Sequence, residues 1–532
     1  MKVTATRLSY GATGYFSKLV NDYLQQDINL HSFYQHTPNW QGIEDAIAAR
    51  KEYGTNNAVL VQALKEQYAA LPASEPVNNA INQLALPNTF TVTTAHQPAI
   101  FTGTLYFIYK ILHAIKLAAA AKEKWPAYNF VPVYYMGSED ADLDELGNIY
   151  LSGDTIPWDT KQTGAVGRMN TKGLDKIIHR IEGELSVQPY GNELVQLLKD
   201  CYLQSNTTVQ AATLQLLHQL FQQYGLVVLI PDNPALKALA KNIFEEELFN
   251  NRSAAIVEKT IERLSPQYKV QAQPRAINLF YLKDAIRNRI EKAGDDFVVV
   301  DTDLRFTTAA LKEELAQHPE RFSPNVILRG LFQEMILPNI AFIGGGGELA
   351  YWLEFKDLFA YYKVNLPVLL LRNSFLVIEK KWTDKISKLA LKDEQVFLPA
   401  TQLLTNLVKQ NSNGKLSLQN ELTQAAAFYN SLQQKAAAVD ATLQKHIAAL
   451  EAKATKPLQQ LQQKLLRSEK RKYENEQRQL ELIKNALFPK NSLQERVENF
   501  MPFYAKHGPA FIQMLYNFSL TTEQEFVVLK EA

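Results

Sequence analysis

The sequence predicts an α/β protein: a Rossmann-like, doubly wound parallel sheet core with helical insertions, plus a C-terminal antiparallel α-helical coiled-coil arm. Three observations carry this. A β-branched run at Thr89–Thr94 leads through a long helical stretch, about Leu105 to Lys124, into a second strand-like run at Phe130–Met136. That is a βαβ unit, the seed of a parallel sheet. Short apolar runs of the buried-strand kind recur at Leu226–Ile230, Phe297–Val300, Ile340–Ile343 and Val368–Leu371, alternating with helical patterns. After about residue 410, apolar residues return every seventh position, as a coiled coil requires.

Taken in order, the first 90 residues read as helical, with helical spacing at 42–47 and 58–68 and punctuation by Pro72, Pro76 and Pro87. The sheet core spans 1–410. Two stretches, about 155–220 and 235–330, read as connecting insertions, the second with a hairpin-like segment at Asn278–Val300. Asn411-Ser412-Asn413-Gly414 signals a linker. A coiled-coil hairpin follows over 415–488. Leu422, Tyr429, Ala436, Leu443 and Leu450 form its first seam, and Pro457 marks the start of the second helix, since proline fits a first turn. Such an arm exposes more apolar surface than two helices hide, so a homodimer is expected. Residues 489–532 read as a segment packing back on the core.

Composition bounds the function. The chain has 532 residues, 46% of them apolar, with 56 Lys and Arg against 55 Asp and Glu. A formal charge of +1 disfavours a general nucleic-acid or membrane-surface binder. The single cysteine, Cys201, allows neither an internal disulfide nor a multi-cysteine zinc site. With no apolar leader and no run of 18 apolar residues, a cytoplasmic location is the default.

Four segments could carry chemistry. Thr94–Gly103 follows a strand and precedes a helix; its His96 either meets an anion, works as an acid or base near neutrality, or is a turn histidine bonded to backbone. Gly137–Glu145 follows the next strand and holds Ser138, Glu139, Asp140, Asp142, Asp144 and Glu145. So many carboxylates suit Mg²⁺, an amine substrate or a general base, whereas Asp144 and Glu145 are explained by a helix start alone. Gly344, Gly345, Gly346 and Gly347 join a strand to a helix bearing Tyr351 and Trp352, a setting for phosphate on backbone N–H groups or merely a flexible turn. Asn325, Arg329, Gln333 and Glu334 lie upstream; Arg329 is either a carboxylate or phosphate clamp or the ion-pair partner of Glu334. Arg275, Asn278, Arg287 and Arg289 add polar candidates, and Lys490, Ser492 and Arg496 form a compact cluster beyond the arm. No G-x-S-x-G and no H-E-x-x-H occurs.

Six motifs together resemble one family, the cysteine-adding enzymes (cysteine ligases) of bacillithiol biosynthesis. They are T-x-H-Q-P-x-x-F-T-G-x-L-Y-x-x-Y-K at 94–110, V-P-V-Y-Y-M-G-S-E-D-x-D-x-D-E at 131–145, N-L-F-Y at 278–281, S-P-N-V-x-L-R-x-L-x-Q-E-x-x-L-P at 323–338, G-G-G-G-E-L-A-Y-W-L-E at 344–354 and S-L-Q-E-R-V-x-N at 492–499. Where the family commonly has a Gly-Gln-Gln type sequence this chain has Ala95-His96-Gln97, which ranks Gln97 above His96 as a shared residue. The resemblance implies an amide bond between L-cysteine and glucosaminyl-malate, the last step of bacillithiol formation. It implies dimerisation through the coiled coil and an adenine nucleotide (ATP or ADP), with room for Mg²⁺ but no assigned metal ligands. On this reading Asp140, Asp142, Gln97 and His96 are catalytic. Ser138, Glu139, Asn325, Arg329, Gln333, Glu334, Tyr351 and Trp352 bind substrate, and Gly344–Gly347, Lys490, Ser492 and Arg496 bind the cofactor. The alternatives are a nucleotide-binding dimeric scaffold or a different amide or nucleotidyl ligase.

Overall fold

The computed structural model describes residues 2–412 and 416–532. Asn413 and Gly414 of the expected linker lie outside them. The chain forms two compact units, one of residues 1–376 with 492–529 and one of residues 377–491 with 530–532.

The first unit is built on a five-stranded parallel sheet of β1 (Thr89–His96), β2 (Asn129–Met136), β3 (Val227–Leu229), β4 (Asn339–Gly344) and β5 (Val368–Leu371), in the order β5-β4-β1-β2-β3. Each neighbouring pair runs parallel. The chain moves outward from β1 to β3, then returns to the other side of β1 for β4 and β5. That reversal between β1 and β4 is the topological switch point, where ligands of open α/β sheets bind beyond the strand carboxyl ends. Both faces of the sheet are covered, so its strands are buried on both sides, wholly apolar in β3 and β5 and threonine-rich in β1. Phe90, Val92, Ile340, Ile343, Val368 and Leu370 pack with Ile43, Ile47, Ala114 and Leu117 in one cluster. Helix α1 (Tyr106–Lys124) links β1 to β2, and its buried positions occur on nearly every side, which explains why its sequence lacks a clean polar stripe.

Phe297–Val300, one of the runs expected in the parallel sheet, lies elsewhere. Asp296–Val299 is a strand of a separate five-stranded antiparallel sheet in the second insertion. Its residues alternate between buried and half-buried, the period of a sheet with one wet face.

In the second unit, helices over 380–388 and 400–411 precede α2 (Gln419–Val439), α3 (Leu443–Lys470) and α4 (Glu474–Leu487). The compact units divide at Val377, whereas the sequence reading placed the divide near residue 410. Leu403, Leu404, Val408, Leu480, Ile483 and Leu487 are buried. The hairpin turn falls at 440–442, where Asp440 Oδ1 accepts from the Thr442 N–H and hydroxyl. Pro457 therefore lies inside α3 rather than at a helix start, leaving one main-chain carbonyl of the preceding turn without its helical donor. The seven-residue repeat through Leu443 and Leu450 crosses the turn. No residue of α2 or α3 is buried.

Candidate active site at the sheet's carboxyl edge

A cavity of about 310 Å³ opens beyond β1, β2 and β4. The elements that line it are those the switch point brings together. β1 ends at His96, with Gln97 just after it, and Asp140 follows β2. Helix α5 (Val326–Ile336) supplies Arg329, and Gly345, Gly346 and Gly347 lead from β4 into α6 (Gly346–Leu353), which carries Glu348 and Tyr351. Tyr106, Lys110, Arg287, Asn325, Arg372 and Arg496 complete the wall.

Charge in this cavity is unbalanced. Lys110 pairs with Glu348 and donates to the Ala95 carbonyl at 2.9 Å. Arg372 pairs with Glu495 at 2.7 Å, both almost wholly buried. Arg287, Arg329 and Arg496 also line the cavity but make no ion pair among the described residues. Arg329 donates to the Tyr351 hydroxyl at 2.9 Å. Arg287 donates through Nε to the Ser323 hydroxyl at 3.1 Å and lies 4.1 Å from the centre of the Phe280 ring. Burial lowers the pKa of Arg287 and of Arg496. The one carboxylate here without a cationic partner in hydrogen-bond contact is Asp140, which accepts from Gln97 Nε2 at 3.2 Å. Three guanidinium groups without an acid partner, with one carboxylate without a cationic partner, make a receptor for an anion that also presents a donor.

Glycine at position 137 leaves room for Arg329: a Cβ there would stand 3.3 Å from the guanidinium, which would have to give by a few tenths of an ångström. The turn after β1 is held differently. Phe101, Thr102 and Gly103 all have positive φ, at 50°, 70° and 63°, and a β-branched residue in that region is strained. Asn499 from the motif at 492–499 holds the turn, donating to the Phe101 carbonyl at 3.0 Å and to that of Gly103.

His96 differs from its expected role as an acid near neutrality. Burial first, then Lys110, Arg329 and Arg372, holds its pKa well below the ordinary 6.5. It is neutral at pH 7, able to accept or donate one hydrogen bond but not to supply a positive charge.

The remaining expected residues divide clearly. Asn325 lines the cavity, yet its side chain caps α5 and bonds Asn278 at 2.9 Å. Asp142 is exposed and caps the short helix Leu143–Leu146 through Glu145 N at 3.0 Å. Ser138 and Glu139 are buried and do not line the cavity. Trp352 is core, packed at a tilt against Phe342 with ring centres 4.5 Å apart. Gly344 ends β4, where a Cβ would meet the Phe342 ring at 2.9 Å. Gln333 and Glu334 are buried away from the cavity, and Glu334 faces Arg50, not Arg329. Residues five apart on a helix stand about 140° around its axis, so Arg329 and Glu334 cannot pair. Lys490 falls in the second unit. Ser492 lines a second cavity of about 470 Å³, which shares Gly346, Gly347 and Arg496 with the first and adds Tyr15, Phe16 and Tyr268. Tyr106, Lys110, Glu348 and Arg372 were not singled out from the sequence. Tyr106, Lys110 and Glu348 do stand within the quoted motifs, and Arg372 carries no motif at all. Among the described residues, no group of three His, Cys, Asp or Glu side chains is placed to hold a metal ion.

Fold and cavity define a doubly wound α/β protein with an anion-receiving cleft at its switch point. Residues 1–373 match the family described as "Bacillithiol biosynthesis BshC, N-terminal Rossmann-like domain", and residues 375–531 match its "C-terminal coiled-coil domain". The chain belongs to this BshC family of bacillithiol biosynthesis, whose curated members are named as ligases. It is 40% identical over 504 residues to "Putative cysteine ligase BshC" of Cytophaga hutchinsonii, covering 94% of each chain. It is 38% identical over 524 residues to the protein of that name from Flavobacterium johnsoniae, covering 98% of this chain and 99% of the other. No helix among the described residues is long and apolar enough to cross a membrane.

Proposed function

We propose that this chain forms the amide bond between L-cysteine and glucosaminyl-malate, the closing step of bacillithiol synthesis, in the cytoplasm. The observation that supports it most is the cleft's composition: Arg287, Arg329 and Arg496 without acid partners around the single available carboxylate of Asp140. Malate brings two carboxylates for the arginines, and the glucosamine amine brings the donor for Asp140. In this reading Asp140 orients the amine and takes its proton as the cysteine carbonyl is attacked. Gln97 holds Asp140 and faces the sugar hydroxyls, while neutral His96 lends a hydrogen bond. Main-chain N–H groups at the start of α6 and Arg496 face developing negative charge on the acyl side. The same glycine turn, with Ser492 and Arg496, suits the phosphates of an adenine nucleotide. When bound, that nucleotide with Mg²⁺ would supply activation of the cysteine carboxylate. Phe428, Val439, Leu443, Leu450 and Leu461 of the arm are exposed, and a second copy covering them gives a homodimer, which sedimentation would detect.

The test is product formation by mass spectrometry from glucosaminyl-malate and cysteine, with and without ATP and Mg²⁺. Bacillithiol formed only with ATP supports the reading, and release of ADP or AMP identifies how the acid is activated. No product from folded protein under any condition refutes it.

A further inference from the structure

Glu139 is acidic, follows β2 and sits one residue from Asp140, yet it does not reach the cavity. Its side chain is largely buried, with one oxygen in an ion pair that makes no hydrogen bond and the other hydrogen-bonded. Oε1 lies 2.5 Å from Nζ of Lys237, a lysine with no exposed side-chain surface. Oε2 accepts from the Ser323 hydroxyl at 2.7 Å. Lys237 in turn donates to the Phe322 carbonyl at 2.8 Å, on the same strand as Ser323. The Ser323 hydroxyl, whose hydrogen points to Glu139, accepts on its oxygen from Arg287 Nε at 3.1 Å. The hydroxyl has one proton, so the direction is set. The carboxylate can only accept and the guanidinium can only donate, and the chain therefore reads Arg287 to Ser323 to Glu139.

Strand register supports this arrangement. Ser323 pairs with Phe280 on the neighbouring strand, and Arg287, on the strand beyond, pairs with Leu282 of the same strand as Phe280. Arg287 packs its guanidinium on the Phe280 ring. The Nε bond and the ring fix the plane of the guanidinium and leave its two terminal nitrogens for the cavity, where no acceptor bonds them among the described residues. A buried charge pair costs desolvation and adds little net stability by itself. Here it anchors the one hydrogen bond that orients a cavity arginine.

We propose that Lys237, Glu139 and Ser323 form a relay that positions Arg287 to receive a carboxylate or phosphate, and that Glu139 and Ser323 are positioning residues, not substrate ligands. The proposal rests on the anion-receiving reading of the cleft. Bidentate recognition demands a fixed plane, so loosening Nε should weaken anion binding without removing any group that touches the anion.

The experiment is a double-mutant cycle read by calorimetric titration of the full chain with L-malate, each variant checked for an unchanged thermal midpoint. Arg287→Ala and Ser323→Ala should each weaken malate binding, the second by about tenfold, the size of one lost charge-assisted bond. The double variant should bind no worse than Arg287→Ala alone, and Ser323→Thr, which keeps the hydroxyl, should restore binding. In turnover, Ser323→Ala should raise KM for the anionic acceptor more than it lowers kcat. Additive losses in the double variant, or Ser323→Ala binding like the unaltered chain while Arg287→Ala is weakened, would overturn the relay and leave the cleft reading standing. Arg287→Ala binding malate normally would overturn both.

Discussion

The central sheet buries an arginine near a glutamate at each end of its strands, and the two ends solve the problem differently. At the carboxyl end, Arg372 donates to Glu495 at 2.7 Å and to the Ser374 hydroxyl and Asn373 carbonyl at 3.0 Å each. Glu495 also accepts from Ser374 at 3.1 Å and from the Phe375 N–H at 3.2 Å. At the amino end, Arg50 spends its bonds on the main-chain carbonyls of Glu334 and Leu337. One oxygen of Glu334 and two nitrogens of Arg50 make no hydrogen bond. Burial pushes the Glu334 carboxyl up to about 7, against the pull of Arg50. The completed pair at the front is a rigid floor that leaves neighbouring arginines available to a ligand. The incomplete pair at the back ties folding to pH.

The largest expected effect sharpens the front. Asp140→Asn should lower turnover about 10²- to 10⁴-fold, the range for a lost general base. Asp142→Asn should change it little, since asparagine caps a helix as well as aspartate does. Equal losses in both, measured as kcat with saturating substrates, would return Asp142 to the chemistry. Next, Glu495→Ala strands Arg372 in the interior and should cost about 3–5 kcal/mol in denaturant unfolding. A loss below 1 kcal/mol would mean that the front pair is no more needed than the back one.

The pH dependence should carry opposite signs at the two ends. Glu334 titrates at about 7 when folded against 4.5 as its ordinary value. Its stabilising contribution is full below 4.5 and is lost as pH rises through 7. Glu334→Gln should therefore flatten the fall in thermal midpoint over that window. At the carboxyl end His113 is held at about 4 against 6.5 by burial. Its Nε2 bonds the Thr521 carbonyl, and Nδ1 accepts from the Asn373 N–H. Its contribution is present above 6.5 and is lost as pH falls toward 4. Midpoints that fall in only one direction would break the comparison. The smallest effect is at Cys201, which is buried with its thiol pushed up to about 12. Cys201→Ala should keep full turnover and lose about 1 kcal/mol of stability.

Parallel strands were legible because burial on both faces makes them continuous apolar runs, and the turns after β1, β2 and β4 were legible because polar or glycine residues interrupt those runs abruptly. The run at Phe297–Val300 misled because four apolar residues do not reveal which sheet they join. The hairpin turn at 440–442 was hidden because its alanine-rich flanks read as continuous helix, while Pro457 offered a louder signal. Within the site, residues just beyond strand ends, such as Gln97, Asp140 and Gly345, could be found from position alone. Arg372 could not, since its role depends on Glu495, more than a hundred residues away. Glu334 was misplaced because proximity in sequence was taken for proximity on the helix surface.

The clasp between Asn499 and the turn at 101–103 joins residues 398 positions apart. Glu495 and Arg496 arrive on the same late segment. During synthesis, the parallel sheet can assemble while the ribosome is still making the arm, but the cleft cannot close its turn or gain its last arginine until that segment has emerged. Competence for chemistry is thus the final event in the birth of the chain, and a nascent polypeptide stalled within the arm would hold a nearly finished scaffold with no working mouth.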